Sequence, residues 1–190
     1  MKKNFIISGI LGGIALICAL CIAGVNMFTS KIIADNAAQT ELETCKSIFS
    51  EYDADKSSEL EVSGDTITKK ILAKDSSGNE LGYLYTVTGK NSYGAITLMV
   101  AIKDNKVYQV EFLENGQSFA STVDSHVKSN YPSSKDEVIY PFIKPADTPE
   151  VGTLDSSELA GIDTSCGATY GANLVKELVS TALNDAKGGN

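Results

Sequence analysis

Residues 95–113 read AITLMVAIKDNKVYQVEFL, a stretch in which two apolar segments flank the polar pair Asp104-Asn105. The alternating apolar residues are Ile96, Leu98, Val100 and Ile102 in the first segment and Tyr108, Val110 and Phe112 in the second. Alternation with a period of two is typical of β-strands, and it places each set on one well-buried face. Asp104-Asn105 is a short turn signal, so the stretch predicts a β-hairpin.

The residues around this hairpin predict the rest of an α+β domain. Two further strands are expected at Thr66–Lys74 and Leu81–Thr88, with a turn at residues 76–79 between them. A helix is expected at residues 119–130, where Phe119, Val123 and Val127 are spaced by four. A second helical stripe comprises Leu174, Val175, Leu178, Val179, Ala182 and Leu183. Four strands joined by short connections predict a single domain with a mainly antiparallel, twisted sheet flanked by helices.

Pro132, Pro141, Pro145 and Pro149 interrupt the region between these two helices. The residues that follow are too few for a second core, so we expect an ordered loop that wraps the domain.

The amino terminus predicts one transmembrane helix. No charged residue occurs from Asn4 to Ser30, a run of about 27 residues that exceeds the length needed to cross a bilayer. Lys2 and Lys3 precede it, so the positive-inside rule places the amino terminus in the cytoplasm and the long carboxyl part outside it. A cleaved signal peptide has a shorter apolar core, and we therefore favour a retained anchor.

A helix from about residue 31 to 52 is expected directly after this run. Its apolar stripe comprises Ala38, Leu42, Cys45, Phe49 and Tyr52. The stripe accounts for Cys45 as a packing residue, and a polar loop follows from Asp53 to Ser58. We therefore divide the chain into a cytoplasmic tip and anchor (1–30), a juxtamembrane helix and loop (31–58) and an extracytoplasmic domain (59–190).

The charged residues disfavour nucleic acid as a ligand and limit the ways in which a phosphate could be held. The formal net charge is −8, and the chain beyond Lys2 and Lys3 sums to about −10, which disfavours nucleic-acid binding. All 16 basic residues are lysine, so no guanidinium can clamp a phosphate. A phosphorylated ligand would have to be held by backbone N–H groups, lysines or a covalent bond.

The cysteines and the single histidine suggest no catalytic or metal site. Cys18 and Cys21 lie inside the apolar run, where we interpret them as packing residues, and no zinc-ligand pattern occurs outside it. A Cys45–Cys166 disulfide has no support. His126 has no accompanying nucleophile signature, and we interpret it as a surface residue of the helix at 119–130.

Residues 163–170 read DTSCGATY and lie immediately before the last helical stripe. Glycine at such a junction lets the backbone approach a ligand, and the free N–H groups of a first helical turn favour a phosphate. Thr169 is well placed to carry or contact that phosphate. The alternative is structural, since threonine and serine are common helix N-caps.

This stretch resembles the D-x-x-(S/T)-G-A-T motif of the FMN-binding domains in the G subunit of Rnf-type electron-transport complexes, which are related to the C subunit of sodium-translocating NADH:quinone reductase. Asp163, Gly167, Ala168 and Thr169 match the motif, and Cys166 stands where serine or threonine is usual. Gly171 stands where a further serine or threonine is frequent. The anchor, the juxtamembrane helix and the segment Tyr93–Ile96 also look like that family.

The resemblance implies a function. In that family a flavin transferase, using FAD and magnesium, joins FMN to the final threonine by a phosphoester bond, here Thr169. It implies phosphate contacts from the backbone of Cys166, Gly167 and Ala168, and packing of Tyr170 and Leu174 on the isoalloxazine. Asp163 would be read by the transferase. The chain would then be an electron carrier with no catalytic residues of its own and no bound metal.

The implied partners are the other membrane subunits of a ferredoxin:NAD oxidoreductase complex and the transferase. Two alternatives stay open. One is a stand-alone extracellular flavoprotein that relays electrons. The other is a noncatalytic anchored binding module in which the motif is an ordinary helix cap.

Overall fold

The computed structural model describes the backbone of residues 2–62, 64–133 and 152–188, and the side chains from residue 10 onward in those ranges. The loop prediction for Pro141, Pro145 and Pro149 falls outside the described residues. The chain forms two compact units, Met1–Glu41 and Leu42–Asn190.

The first unit is helical. Helix α1 runs from Lys2 to Ile48, and its large apolar side chains between Ile10 and Ile33 are exposed. The segment Ile10–Ile48 contains a window of mean hydropathy 2.3 in which no residue is buried. By length and composition, this is a helix that can cross a membrane. An apolar helix without a buried face is stable in lipid and not in water, because lipid can surround it on every side.

The juxtamembrane helix is shorter than expected, because α1 ends at Ile48 and not near residue 52. Cys45 and Phe49 from the predicted stripe are buried, and so is Ile48, whereas Leu42 and Ala38 are exposed. The packing function predicted for Cys45 is therefore confirmed, and the stripe is buried only at its carboxyl end.

In its described residues, the second unit forms one antiparallel sheet of five strands in the order β1-β2-β3-β4-β5. The strands are β1 Ser58–Leu60, β2 Ile67–Lys74, β3 Glu80–Asn91, β4 Gly94–Lys103 and β5 Lys106–Asn115. The helices of this unit are α2 Ala120–Asn130, α3 Ser156–Gly161 and α4 Thr169–Ala186. The predicted α+β architecture, with an antiparallel sheet and flanking helices, is confirmed. Strand β1 was not predicted, since its short sequence follows a polar stretch.

The buried face predicted for Ile96, Leu98, Val100 and Ile102 of strand β4 is confirmed, and the structure shows that the opposite face is buried as well. Ile96 and Val100 belong to a core beneath α2 and α4, whereas Met99 and Ala101 belong to a second core that Phe49 helps to cover. A strand between two cores has no solvent face, and its sequence is apolar at nearly every position. The sheet thus separates an α4-side core from an α1-side core.

The shared face predicted for strand β5 is confirmed for Val110 and Phe112, which pack in the α4-side core, but was wrong for Tyr108. The pairing of β4 with β5 is interrupted, because Ala101 pairs with Gln109 and Ile102 with Val107. Tyr108 is the extra residue of this β-bulge, and a bulge reverses the alternation of the side chains beyond it. Tyr108 consequently stacks on Phe49 in the α1-side region, at 5.3 Å between ring centroids.

The turn between β4 and β5 occurs at the predicted residues. Asp104 and Asn105 have φ values of 52° and 60°, the left-handed pair that a two-residue type I′ hairpin turn requires. Short asparagine and aspartate side chains tolerate this conformation better than bulky ones do.

Helix α2 begins one residue later than its predicted stripe. Val123 and Val127 are buried, but Phe119 precedes the helix and is 57% exposed. Phe119 is therefore not a core residue, and its exposure places a large aromatic side chain at the surface beside the start of α4.

Candidate functional site

The loop that leads into α4 is held by side chains of α4 itself. Lys176 donates to the carbonyl oxygens of Ala160 and Ile162, at 2.7 and 2.8 Å from Nζ. Thr164 Oγ1 donates to Asn173 Oδ1 at 2.6 Å. These bonds hold the amino-terminal part of the loop against α4, immediately before the rest of the motif at residues 163–170.

Thr169 is the first residue of α4, and its side chain is exposed. Its hydroxyl donates to the carbonyl oxygen of Cys166 at 2.7 Å. The N-cap residue is Ala168, which makes no side-chain hydrogen bond to the first turn. The interpretation of the motif as an ordinary Thr or Ser cap was therefore wrong. Alanine is among the poorest N-cap residues, so the first-turn N–H groups of α4 lack the usual side-chain acceptor.

A surface cavity of about 220 Å³ opens beside Thr169. Its lining is uncharged and comprises Tyr93, Gln117, Phe119, Val123, Gly167, Ala168, Thr169, Tyr170 and Gly171. Tyr93 and Tyr170 stack with ring centroids 5.3 Å apart and an interplanar angle of 30°. Tyr170 is 67% exposed, so its ring offers a free face to a planar ligand.

Four of the predicted site residues line this cavity, namely Gly167, Ala168, Thr169 and Tyr170. Cys166 and Leu174 do not occur in its described lining, since both are partly buried against the α4-side core. Leu174 lies against Gly89 on β3, where it contributes to the packing of the helix on the sheet. The structure thus brings the backbone of the motif and three aromatic residues, Tyr93, Phe119 and Tyr170, together around the Thr169 side chain.

Gly171 is required by packing between α2 and α4. A Cβ atom at this position would lie 2.5 Å from Cγ2 of Val123, closer than real contacts allow. This explains why glycine stands where the related motif often has serine or threonine. The same contact brings Val123 and Gly171 to the floor of the cavity.

Two loops complete the cavity, and the residues of neither loop were assigned to the site from the sequence. Gln117 is 6% exposed, and its Nε2 donates to Gly94 O at 2.6 Å and to Asn91 Oδ1 at 3.1 Å. Gly94 has φ 141°, and a Cβ atom there would collide with the carbonyl group of Gly116. The β3–β4 turn and the segment after β5 are therefore in backbone contact. A buried glutamine in a polar loop has no periodic signal by which it could be found.

Asp163 is exposed and accepts a hydrogen bond from the backbone N–H of Ser165 at 2.8 Å. This bond, with one from the Ser165 side chain, lowers the pKa of Asp163 below its usual range. The carboxylate therefore stays ionised and fixes the turn that precedes Cys166.

His126 is buried, contrary to the expectation of a surface residue. It is 9% exposed, and its Nε2 has no hydrogen-bond partner among the described residues. Burial lowers the pKa of His126, and the nearby Asp163 carboxylate opposes that effect. The imidazole consequently packs as a neutral group on α2. A lone histidine offers no pattern from which this burial could be predicted.

Neither a disulfide nor a metal site occurs in the described part of the chain. Cys45 belongs to the α1-side core, and Cys166 packs against the α4-side core, so the sheet lies between them. Two thiols on opposite faces of a sheet are too far apart to be bridged.

Comparison with known families finds a relationship at the amino end of the chain. Residues 1–48 match a family model described as the RnfG N-terminal region. The chain resembles the RnfG subunit of Rnf complexes. The matched residues are those of α1, which supports membrane anchoring and an Rnf-type electron-transfer subunit. The match ends before the motif at residues 163–170. No curated protein matches the chain.

Proposed function

We propose that this chain is the RnfG-type subunit of a membrane electron-transport complex and carries FMN on Thr169 through a phosphoester bond. The observation that carries the proposal is the exposed Thr169 hydroxyl at an uncapped helix N-terminus, beside an uncharged aromatic cavity. The match of residues 1–48 to the RnfG N-terminal region supports the subunit independently.

The phosphate has suitable surroundings at Thr169. The first N–H groups of a helix have no intrahelical acceptor, and the helix dipole places partial positive charge there. With no arginine in the chain, a covalent bond together with backbone N–H groups of Cys166, Gly167 and Ala168 would hold the phosphate. In the attachment step the Thr169 O–H bond breaks and an O–P bond forms. The pyrophosphate bond of FAD breaks, AMP leaves with the bridging oxygen, and the proton from Thr169 passes to AMP or solvent.

The aromatic residues around the cavity would hold the flavin ring. Tyr170 and Phe119 are mostly exposed, and Tyr93 stacks on Tyr170. Stacking of flat rings contributes about 0.5–1.5 kcal/mol per pair beyond the burial of area. When bound, FMN would accept and donate electrons singly or in pairs, while the chain would fix its position. Cys166 and Leu174 support this surface from the partly buried layer behind it.

The orientation in the membrane is part of the proposal. Lys2 and Lys3 favour a cytoplasmic amino terminus, which puts the motif and its domain outside the cytoplasm. We retain the division into residues 1–30, 31–58 and 59–190 as this proposal's arrangement of tip and anchor, juxtamembrane segment and FMN domain. A covalent tether suits that side of the membrane, since a lost cofactor would not be replaced from the cytosolic pool.

The direct test is coexpression of the full chain with a flavin transferase, followed by in-gel flavin fluorescence after denaturation. Wild type and the control Thr181→Ala should fluoresce, because Thr181 lies on α4 outside the cavity lining and its hydroxyl donates only to the Glu177 carbonyl oxygen of the same helix. Thr169→Ala should not. Equal fluorescence of Thr169→Ala and wild type would overturn the assignment, and a dark wild type beside an active transferase would favour an anchored binding module that carries no flavin.

A further inference from the structure

Asn91 occupies the last position of β3 and joins three parts of the chain. Its Oδ1 accepts from the backbone N–H of Tyr93 at 2.8 Å and from Gln117 Nε2 at 3.1 Å. Its Nδ2 donates to the carbonyl oxygen of Tyr170 at 3.1 Å. One amide side chain therefore links the β3–β4 turn, the segment after β5 and the first turn of α4.

The orientation of this amide follows from its neighbours. Gln117 Nε2 also donates to Gly94 O at 2.6 Å, so its NH₂ group faces Asn91. The Asn91 oxygen thus meets two donors, and its nitrogen meets one carbonyl oxygen. In the reverse orientation the Asn91 NH₂ group would face the donors of Tyr93 and Gln117, and its oxygen would face the Tyr170 carbonyl oxygen, so all three bonds would be lost.

The two tyrosines that Asn91 holds are the pair that stacks. Tyr93 and Tyr170 belong to different elements and lie 77 positions apart in the sequence. Both side chains are well exposed, so burial contributes little to fixing their rings. The bonds from Asn91 to the Tyr93 N–H and the Tyr170 carbonyl instead fix the two backbones.

We infer that Asn91 is a positioning residue that presents the Tyr93–Tyr170 pair as one rigid surface for a planar ring. The inference rests on the proposed function, because that ring would be the isoalloxazine of FMN on Thr169. Asn91 does not occur in the described lining of the cavity, so it would act through the tyrosines and Gln117.

The test compares Asn91→Ala, Asn91→Asp and the control Asn79→Ala in the full chain, purified in detergent after coexpression with a flavin transferase. Asn79 is an exposed turn residue whose Nδ2 donates to Asp75, away from the cavity. Intact mass gives the extent of FMN attachment. Hydrogen exchange of the Tyr93 amide, measured on the flavin-free chain, reports the bond to Asn91 Oδ1.

We expect Asn91→Ala to lose the protection of the Tyr93 amide and Asn91→Asp to keep it. In both variants the flavin fluorescence per attached FMN should rise severalfold, because an ordered tyrosine stack quenches a flavin and a disordered one does so less. Asn79→Ala should match wild type in both measurements. If Asn91→Ala does not fold, Asn91→Asp decides, since it retains the two accepted bonds and loses only the bond to Tyr170.

Wild-type fluorescence in both Asn91 variants, with FMN attached, would overturn the inference and leave the proposed function intact. A wild-type chain that takes no FMN from an active transferase would overturn both.

Discussion

At the scale of single residues, His126 is the side chain whose burial is most directly measurable. As the only histidine, it gives one assignable imidazole signal in an NMR titration. Because burial lowers its pKa, we expect a value below the ordinary 6.5. Asp163→Asn should lower the pKa further, since the carboxylate opposes the effect of burial. Asp124→Asn should change it little, because Asp124 pairs with Lys128.

The lowered pKa of His126 also determines how the free energy of unfolding changes with pH. A histidine with a depressed folded-state pKa binds protons less readily than in the unfolded chain. Its contribution is therefore complete above about pH 6.5 and is lost as the pH falls through the lower folded-state value. In His126→Gln, the free energy of unfolding, measured with urea, should fall less steeply than in wild type as the pH drops below about 6.5. The same pH dependence in both proteins would contradict the burial of the imidazole.

Gly171 gives a second residue-scale prediction. A methyl group there would overlap Val123, so Gly171→Ala should separate α2 from α4 and lower the free energy of unfolding by about 1–3 kcal/mol. Gly167→Ala is the matched control, since its Cβ would meet Thr122 at an ordinary 3.6 Å. Urea unfolding measures both. Equal stability of the two variants would show that the helices pack less closely than described.

At the scale of elements, the β4–β5 turn tests how strictly the left-handed pair is needed. Asn105→Gly should keep or raise the stability, because glycine adopts a positive φ without strain. Asn105→Val should lower it by about 1–2 kcal/mol, the cost of the left-handed conformation for a residue with a Cβ atom. Thermal unfolding of the pair measures the difference, and no difference would indicate that the turn is not type I′.

Much of the element pattern could be predicted from sequence, and the failures have physical causes. The strands around the 104–105 turn were found because alternation and turn chemistry are local. Tyr108 was assigned to the wrong face of β5 because the bulge at this residue is a property of pairing between strands. The site was found only in its contiguous part, residues 163–170. Phe119, Gln117 and Asn91 reach it through tertiary contacts, which leave no periodic trace along the chain.

At the scale of the whole molecule, the division into two units predicts an independently folding fragment. A fragment of residues 42–190 retains Cys45, Ile48 and Phe49, which help to cover the α1-side core, and should unfold cooperatively. A fragment of residues 50–190 lacks them and should be markedly less stable or unfolded. Phe49→Ala in the longer fragment should alone cost about 3–5 kcal/mol. Equal stability of the two fragments would contradict the structural contribution of this segment.

The most direct test of the central claim is peptide-level mass spectrometry of the full chain after coexpression with a flavin transferase. The account predicts an FMN phosphoester on the peptide that contains residues 163–170, localised by fragmentation to Thr169 and absent from Thr169→Ala. FMN on another residue, or an unmodified peptide from cells in which the transferase modifies a known substrate, would contradict it.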